Sequence, residues 1–205
     1  MSIRLAAKPV VFLFLLANFL FFTSCKKTSS DLDPIAPARH DTAFVTYTIP
    51  AGEHYSDKNI FKSLELKTLK FVVRFDSSAI YKTAIASNQP DINKLYGFSE
   101  GYDHLQNSAR IGWAWVNHSL RLYAYAYNAG KREYAEITRI SIGADINCSI
   151  LLSANKYVFR VNGIERTLAR SGSGESINGY QLYPYFGGDE TAPHDINISI
   201  AEIKN

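Results

Sequence analysis

The stretch ARIGWAWVNHSLRLYAYAY, residues 109–127, contains the clearest strand pattern of the chain. Apolar side chains alternate with polar or small ones on both sides of Asn117-His118, which is the pattern of two half-buried strands joined by a tight turn. Because successive side chains on a strand point to opposite faces, the turn also decides which residues share a face. The stretch therefore predicts a β-hairpin with one core face and one polar face.

A turn at Asn117-His118 pairs the residues of the two strands in a fixed order. The predicted core face carries the pairs Trp115 with Leu120, Trp113 with Leu122, and Ile111 with Ala124. The predicted opposite face carries the pairs Arg110 with Tyr125, Gly112 with Tyr123, and Ala114 with Arg121, with Tyr127 beyond them. A slip of one residue would exchange the two faces.

The second face has the chemistry of a sugar-binding groove. Tyrosine rings stack on the apolar faces of sugars, and arginine forks bind carboxylates or sulfates through two hydrogen bonds. The segment after Gln181 is predicted to extend this surface, with Tyr183 and Tyr185 on one face and Leu182, Pro184 and Phe186 on the other. The alternative is that these tyrosines serve β-propensity and cross-strand packing on a solvated sheet.

The rest of the domain also shows short alternating segments separated by turn residues, which predicts an all-β antiparallel sandwich. A second hairpin is predicted at Asn162-Gly163, a preferred pair for a type I′ turn, and it places Arg160 opposite Glu165. A short helix is expected in 57–63 or 78–86. The predicted strands are 44–49, 69–75, 109–116, 119–127, 134–142, 149–152, 156–161, 164–169, 181–186 and 195–203.

Two loops hold further candidate residues. The first is predicted over 91–110 and contains His104, a candidate for a catalytic base near Tyr or Arg110. The alternative is that His104 is only a solvated loop residue. The second follows Phe186, and its Asp189, Glu190 and Asp195 could supply oxygen ligands to calcium. The alternative for the second loop is that its acids cap turns.

The first 25 residues have the order of an export signal. Arg4 and Lys8 precede an apolar run of about 14 residues from Pro9 to Phe22, which is too short to span a bilayer as a helix. The sequence FTSC that ends at Cys25 resembles the site where bacterial lipoproteins are acylated and cleaved. We therefore predict a signal peptide over 1–24, a lipid on Cys25, and a protein held in the cell envelope at the outer membrane, on its periplasmic or surface face. Ordinary secretion and an uncleaved membrane anchor are the alternatives.

Composition narrows the partners and the number of domains. Residues 25–40 are polar and aperiodic, which predicts a tether, and 41–205 form one domain of ordinary size. The net charge of +3 falls to +1 without Arg4 and Lys8, since 3 − 2 = 1, so a charge-driven nucleic-acid partner is not expected. Cys148 lies in an apolar stretch and is predicted to be a small buried side chain.

Four motifs carry a resemblance to known proteins: FVVRFDSSAIY (71–81), NSARIGWAW (107–115), LRLYAYAY (120–127) and LYPYFGGDETAPHDI (182–196). In these motifs the domain resembles the concanavalin A-like lectin and glucanase jelly roll. It also looks like the short lipoproteins of Gram-negative glycan-degrading bacteria. The resemblance spans about residues 42–204 and implies a jelly-roll sandwich and a poly- or oligosaccharide partner.

The enzymes that this fold implies carry motifs that the sequence matches only in part. The glucanase motif E-x-D-x-x-E is absent, because Glu133 and Glu136 have the wrong spacing. The alginate-lyase motifs are echoed by Asn107–Arg110 and Tyr185–Gly188 without their Glu and Lys. The first hypothesis is thus a membrane-anchored glycan-binding lipoprotein that uses Arg110, Arg121, Tyr123, Tyr125, Tyr127, Tyr183 and Tyr185. The alternatives are a polysaccharide lyase or glycosidase, and an accessory lipoprotein that binds a protein partner.

Overall fold

The computed structural model describes residues 43–172 and 174–204, which form two antiparallel six-stranded sheets packed face to face. The predictions for residues 1–24, Cys25 and the tether lie outside these ranges. Among the described residues, no helix is long and apolar enough to cross a membrane.

Twelve strands make up the sandwich. Sheet I has the order β1-β12-β3-β8-β9-β10 and sheet II the order β2-β11-β4-β5-β6-β7. The first six strands are β1 (Val45–Ile49), β2 (Ser63–Leu66), β3 (Thr68–Phe75), β4 (Asn93–Glu100), β5 (Ser108–Val116) and β6 (Ser119–Asn128). The others are β7 (Lys131–Ile140), β8 (Ile146–Ser153), β9 (Lys156–Val161), β10 (Ile164–Ala169), β11 (Ile177–Leu182) and β12 (Ile196–Glu202).

Both predicted hairpins are confirmed in register. Every predicted β5–β6 pair is present, from Arg110 opposite Tyr125 to Trp115 opposite Leu120. Asn117 and His118 both have positive φ, 51° and 56°, as the type I′ turn requires. The turn at Asn162-Gly163 likewise places Arg160 opposite Glu165, and the two side chains form an exposed ion pair.

The core lies between the sheets and is centred on the predicted apolar face of the hairpin. Trp113 is fully buried and its ring contacts those of Phe75, Tyr81 and Phe186. Trp115, at the end of this face, is only partly buried. Cys148 is buried as predicted, and burial raises the pKa of its thiol.

The prediction of one long loop over 91–110 is wrong, because its first half is β4, a central strand of sheet II. Six of the eight residues of β4 are buried, on both faces of the strand, so burial does not alternate along it. A register shift between Lys94 and Tyr96 further breaks the period. The true loop is the segment 101–107 between β4 and β5.

Two smaller predictions also need correction. The strand predicted over 181–186 ends at Leu182, and its main part is the preceding segment Ile177–Leu182. In place of a helix, the structure has two short 3₁₀ turns, Ser77–Ala79 and Ala86–Asn88. The strand β2 was missed because it has only four residues.

Two polar clusters join the sheets at the edge of the core. In the first, Glu100 at the end of β4 accepts hydrogen bonds from Tyr157 on β9 and from the Arg170 guanidinium. The Arg170 side chain is 1 % exposed, so its charge is compensated inside the protein. In the second, Glu202 of β12 accepts hydrogen bonds from Tyr96 of β4 and from Lys62.

Candidate functional site

The outer face of sheet II, away from the core, bears a cavity of about 550 Å³ that we call the Arg110 cavity. Its floor is formed by Lys94 from β4, Arg110 from β5, Tyr125 and Tyr127 from β6, and Arg132 from β7. The register explains the grouping, because Lys94 pairs with Gly112, two residues along β5 from Arg110 and on the same face. Tyr125 and Tyr127 are paired with Arg110 and Ser108 on β5. Side chains of one sheet face converge here from four neighbouring strands.

Three segments outside the floor form the walls. The segment after β1 contributes Tyr55, Asn59, Ile60 and Phe61, and the β4–β5 loop contributes His104 and Leu105. The third wall is β11 and the chain after it, with the lining residues Tyr180, Gln181, Leu182, Tyr183, Pro184, Tyr185, Gly188 and Asp189.

Arg110 is the most deeply placed charge of the cavity. The residue is 7 % exposed, and its Nε lies in the interior without a hydrogen-bond partner. Burial lowers the pKa of Arg110, and the neighbouring tyrosines, Tyr125 first, oppose that shift. The guanidinium therefore keeps a donor that an acceptor entering the cavity would satisfy.

Lys94 lies between aromatic rings beside Arg110. Its Nζ is 5.1 Å from the ring centroid of Tyr125 and 5.6 Å from that of Tyr185, which are cation–π distances. Burial lowers the pKa of Lys94 to about 8, and the positive charges of Arg110 and Arg132 add to this effect. The Lys94 ammonium is therefore protonated at neutral pH but loses its proton at mildly alkaline pH.

His104 and Tyr180 form a polar pair at the side of the cavity. The His104 Nδ1 and the Tyr180 hydroxyl are 3.0 Å apart, within hydrogen-bond distance. Burial, and then the charge of Arg110, lowers the pKa of His104, so its imidazole is neutral at physiological pH.

The hydroxyl of Tyr125 on the cavity floor is also affected by its surroundings. Burial raises the pKa of Tyr125 to about 12, and Tyr127 adds to the shift.

The structure gathers most of the predicted binding residues around this cavity. Arg110, Tyr125, Tyr127, Tyr185, His104 and Asp189 all line it. Arg121 and Tyr123 share the same face of β6 but are not part of the lining, and Arg121 is paired with Glu136. The groove is thus shorter along the hairpin than the sequence predicted.

Tyr183 corrects the predicted alternation after Gln181. It borders the cavity, yet it is 8 % exposed and its ring packs against Tyr47 and Tyr96 in the core. Phe186 is buried in the core as well, so Tyr183 and Phe186 do not lie on opposite faces of a strand. The alternation fails because β11 ends at Leu182 and Pro184 cannot donate a ladder hydrogen bond.

The three acids considered for calcium do not come together. Glu190 accepts hydrogen bonds from the backbone of Ala84 and Ile85 and from Asn88, while Asp195 accepts one from the backbone of Ala51. Within 43–172 and 174–204, no three His, Cys, Asp or Glu side chains are grouped so that they could hold a metal ion. Glu190 and Asp195 therefore hold loops in place, and Asp189 stands alone at the cavity.

Several residues that line the cavity were not predicted from the sequence. Lys94 lay in the segment that was predicted as a loop, and Tyr180 lay one residue before a predicted strand. Arg132 could have been found, because a turn at Ala129-Gly130, where both residues have positive φ, pairs it with Tyr127. Tyr55 and Phe61, two aromatic residues at the edge of the cavity, lie in a segment without strand or helix periodicity.

Comparison with known proteins shows the fold. A glycoside hydrolase family 16 enzyme of a mixed-linkage glucan locus of Bacteroides ovatus, in complex with its product, is 10 % identical and has a TM-score of 0.50, with 80 % of this chain and 81 % of that one covered. An alginate lyase, AlyC3 in complex with dimannuronate, is also 10 % identical at a TM-score of 0.50, covering 78 % and 76 %. No family model and no curated protein matches the sequence. The described domain is thus an antiparallel sandwich of the concanavalin A-like jelly-roll type, which does not by itself fix a function.

The electrostatics of the cavity predict an unusual lysine. We expect Lys94 to titrate near pH 8 rather than near its ordinary value of 10.5, and the midpoint to rise in the Arg110→Met variant because one repelling charge is removed. Since the unfolded chain binds this proton more tightly, the contribution of Lys94 to the free energy of unfolding should increase from about pH 8 to about pH 10.5.

NMR of the full-length protein with ¹³C-methylated lysines measures the midpoint directly. The Arg160→Met variant serves as the matched control, because Arg160 pairs with Glu165 in sheet I and should leave the midpoint of Lys94 unchanged. A wild-type midpoint near 10.5, or no response to Arg110→Met, would mean that Lys94 is neither desolvated nor repelled by Arg110 in the cavity.

Proposed function

We propose that this protein binds an oligosaccharide in the Arg110 cavity. The observation that supports this is the combination, in one open cavity, of tyrosine rings with cationic groups that have no carboxylate partner in the described ranges. Its volume of about 550 Å³ falls within the roughly 300–1,000 Å³ that small-molecule sites occupy. The residues that would contact the sugar are Lys94, Arg110, Tyr125, Tyr127, Arg132, Tyr180 and Tyr185.

The aromatic rim is suited to stacking against sugar rings. Tyr55 is 59 % exposed and meets the edge of Tyr185, while Phe61 is 72 % exposed and lies against Tyr180. Exposed rings that are braced by a second ring offer a flat apolar surface at small entropic cost. A chain of sugars could therefore stack on the rim while its polar groups reach the cationic floor.

The aromatic surface yields a direct test by alanine substitution. Tyr185→Ala should weaken binding by about tenfold through lost stacking, ~1.4 kcal/mol, with little change in melting temperature. Isothermal titration of the full-length protein with a panel of oligosaccharides measures the effect. The matched control is Tyr134→Ala on the same sheet face, because Tyr134 is 56 % exposed and lies outside the cavity lining. An equal loss in both variants would mean that the sugar does not occupy the cavity, and the absence of any bound sugar would favour a protein partner.

The second part of the proposal is that a lipid on Cys25 anchors the protein in the cell envelope, at the outer membrane. It rests on the basic start of the chain, the apolar run Pro9–Phe22 and the FTSC sequence. Several acyl chains on one cysteine would give stable binding, because each buried methylene contributes about 0.8 kcal/mol.

Metabolic labelling with an alkyne analogue of palmitate tests the anchor. The wild-type protein should be labelled and should sediment with membranes, whereas Cys25→Ser should be unlabelled. The control is Cys148→Ser, which removes a buried thiol and should leave labelling unchanged. Equal labelling of the Cys25→Ser variant would contradict the anchor.

The hydrogen bond between His104 and Tyr180 favours a second candidate function, cleavage of the glycan by β-elimination. In this reaction a base takes the proton from the carbon next to a sugar carboxylate, the electron pair forms a C=C bond, and the glycosidic C–O bond breaks. The leaving oxygen then gains a proton, and no water is consumed. Tyr180, with its hydroxyl proton passed to the neutral His104, could take the first proton, and the pair could then supply the second. A glycosidase is less favoured, because Asp189 is the single carboxylate among the described lining residues.

The elimination would create an unsaturated sugar end that absorbs ultraviolet light. Tyr180→Phe should then reduce the rate of product formation by at least about 100-fold while it changes binding little, because only the proton transfer is lost. Ultraviolet absorbance followed over time measures the rate of product formation, and titration of the same samples measures binding. Binding without products in the wild-type protein would leave the binding function and exclude the elimination.

A further inference from the structure

The Arg110 cavity carries an excess of positive charge. Lys94, Arg110 and Arg132 reach it from three strands of sheet II, whereas Asp189 is the one acidic residue among the described lining residues. With His104 neutral, the lining has a formal charge of +2, since 3 − 1 = 2. Charges of one sign in a concave, partly desolvated site attract ligands of the opposite sign.

The cations of the cavity differ from the paired arginines of the domain in having no carboxylate partner among the described residues. Residues 43–172 and 174–204 contain six ion pairs, and four of them satisfy an arginine with a carboxylate. Arg170 is the informative comparison, because it is as deeply buried as Arg110 and is held by Glu100 through two hydrogen bonds. None of the six pairs includes Lys94, Arg110 or Arg132.

The geometry of Arg110 favours one kind of ligand group. Its side chain is more than nine-tenths buried, lines the cavity, and keeps an Nε donor with no partner. A guanidinium presents its donors in a planar fork, which matches two oxygens of one carboxylate or sulfate. A neutral hydroxyl would satisfy one donor but would leave the charge uncompensated.

Lys94 supplies a second, separate observation. Its ammonium is attracted to the faces of Tyr125 and Tyr185, so it is held over the cavity by rings and not by a carboxylate. The charge of Asp91, which is not part of the cavity lining, opposes the lowering of the pKa of Lys94. An anion between Lys94 and Arg110 would relieve the repulsion that lowers the pKa of Lys94.

We infer that the sugar recognised in the Arg110 cavity is acidic, and that Arg110, Lys94 and Arg132 together hold its carboxylate or sulfate. This inference rests on the proposed sugar-binding function and narrows it to one charge class of glycan. Arg110 binds the anionic oxygens at the floor, and Lys94 and Arg132 compensate the remaining charge from β4 and β7. The tyrosine rings then orient the sugar ring to which the acidic group is attached.

The test compares acidic glycans with neutral forms of the same backbone. The probes are oligomers of mannuronate, guluronate and galacturonate, each before and after reduction of its carboxyls to hydroxymethyl groups, and a sulfated galactan with its desulfated form. Titration of the full-length protein should show binding of at least one acidic probe and a loss of about 100-fold or more in its neutral form, the scale expected when a buried charge loses its partner. Binding should also weaken as salt concentration rises.

Substitutions assign the effect to the cavity. Arg110→Gln and Lys94→Met should each weaken binding of the acidic probe by about tenfold or more, while Arg160→Gln, which removes an arginine from sheet I, should not. Melting curves of all variants confirm that they are folded, and the comparison of acidic with reduced probes requires no variant at all. Whether a uronate or the sulfated galactan responds identifies the source of the anion.

The possible results separate the inference from the function on which it rests. Equal binding of acidic and neutral forms would overturn the inference and leave sugar binding in place. Unchanged binding in both Arg110→Gln and Lys94→Met would overturn the assignment to this cavity. If no probe of either class is bound by the folded protein, both the inference and the proposed function are overturned.

Discussion

The pairing of β5 with β6 is the constraint on which the site depends. A type I′ turn at Asn117-His118 sets the register, and the register sends Trp113 and its neighbours into the core while Arg110 and Tyr125 face outwards. Core burial then locks the arrangement, because a shift of one residue would expose the indole of Trp113 and bury Arg110 among core side chains. The core and the cavity are therefore two faces of one hairpin, and neither can change register alone.

The cavity also concentrates positive charge in a way that lowers stability. The domain satisfies a buried arginine where stability requires it, as the contact of Arg170 with Glu100 shows. In the cavity it instead brings Lys94, Arg110 and Arg132 together without a carboxylate partner in the described part of the chain. Burial acts against the charges of Lys94 and Arg110, and the charges of Arg110 and Arg132 repel that of Lys94. Such an arrangement lowers the stability of the free protein, and binding of the proposed acidic sugar would recover part of it.

The fold accommodates this site without determining it. The solved structures that share the jelly roll include a glucanase and an alginate lyase, at about one residue in ten identical. The sandwich supplies an exposed sheet face flanked by loops, and the side chains on that face decide the chemistry. Here those side chains are tyrosines, three cations and a His–Tyr pair, so the cavity and not the fold determines which ligand can bind.

What the sequence determined by itself was local and periodic. Alternation and turn chemistry were sufficient for the two hairpins, the core face with Trp113, and the pairing of Arg110 with Tyr125, because these depend on neighbours within a few residues.

Only the tertiary structure decided which other residues join Arg110 and Tyr125 in the cavity. Lys94 reaches the cavity through β4, whose burial on both faces hides its period, and Tyr180, Phe61 and His104 come from segments distant in the chain. Tyr183 enters the core instead of the groove because the regular strand β11 ends at Leu182, and its ring packs against Tyr47 and Tyr96. Long-range packing of this kind leaves no pattern in a single sequence.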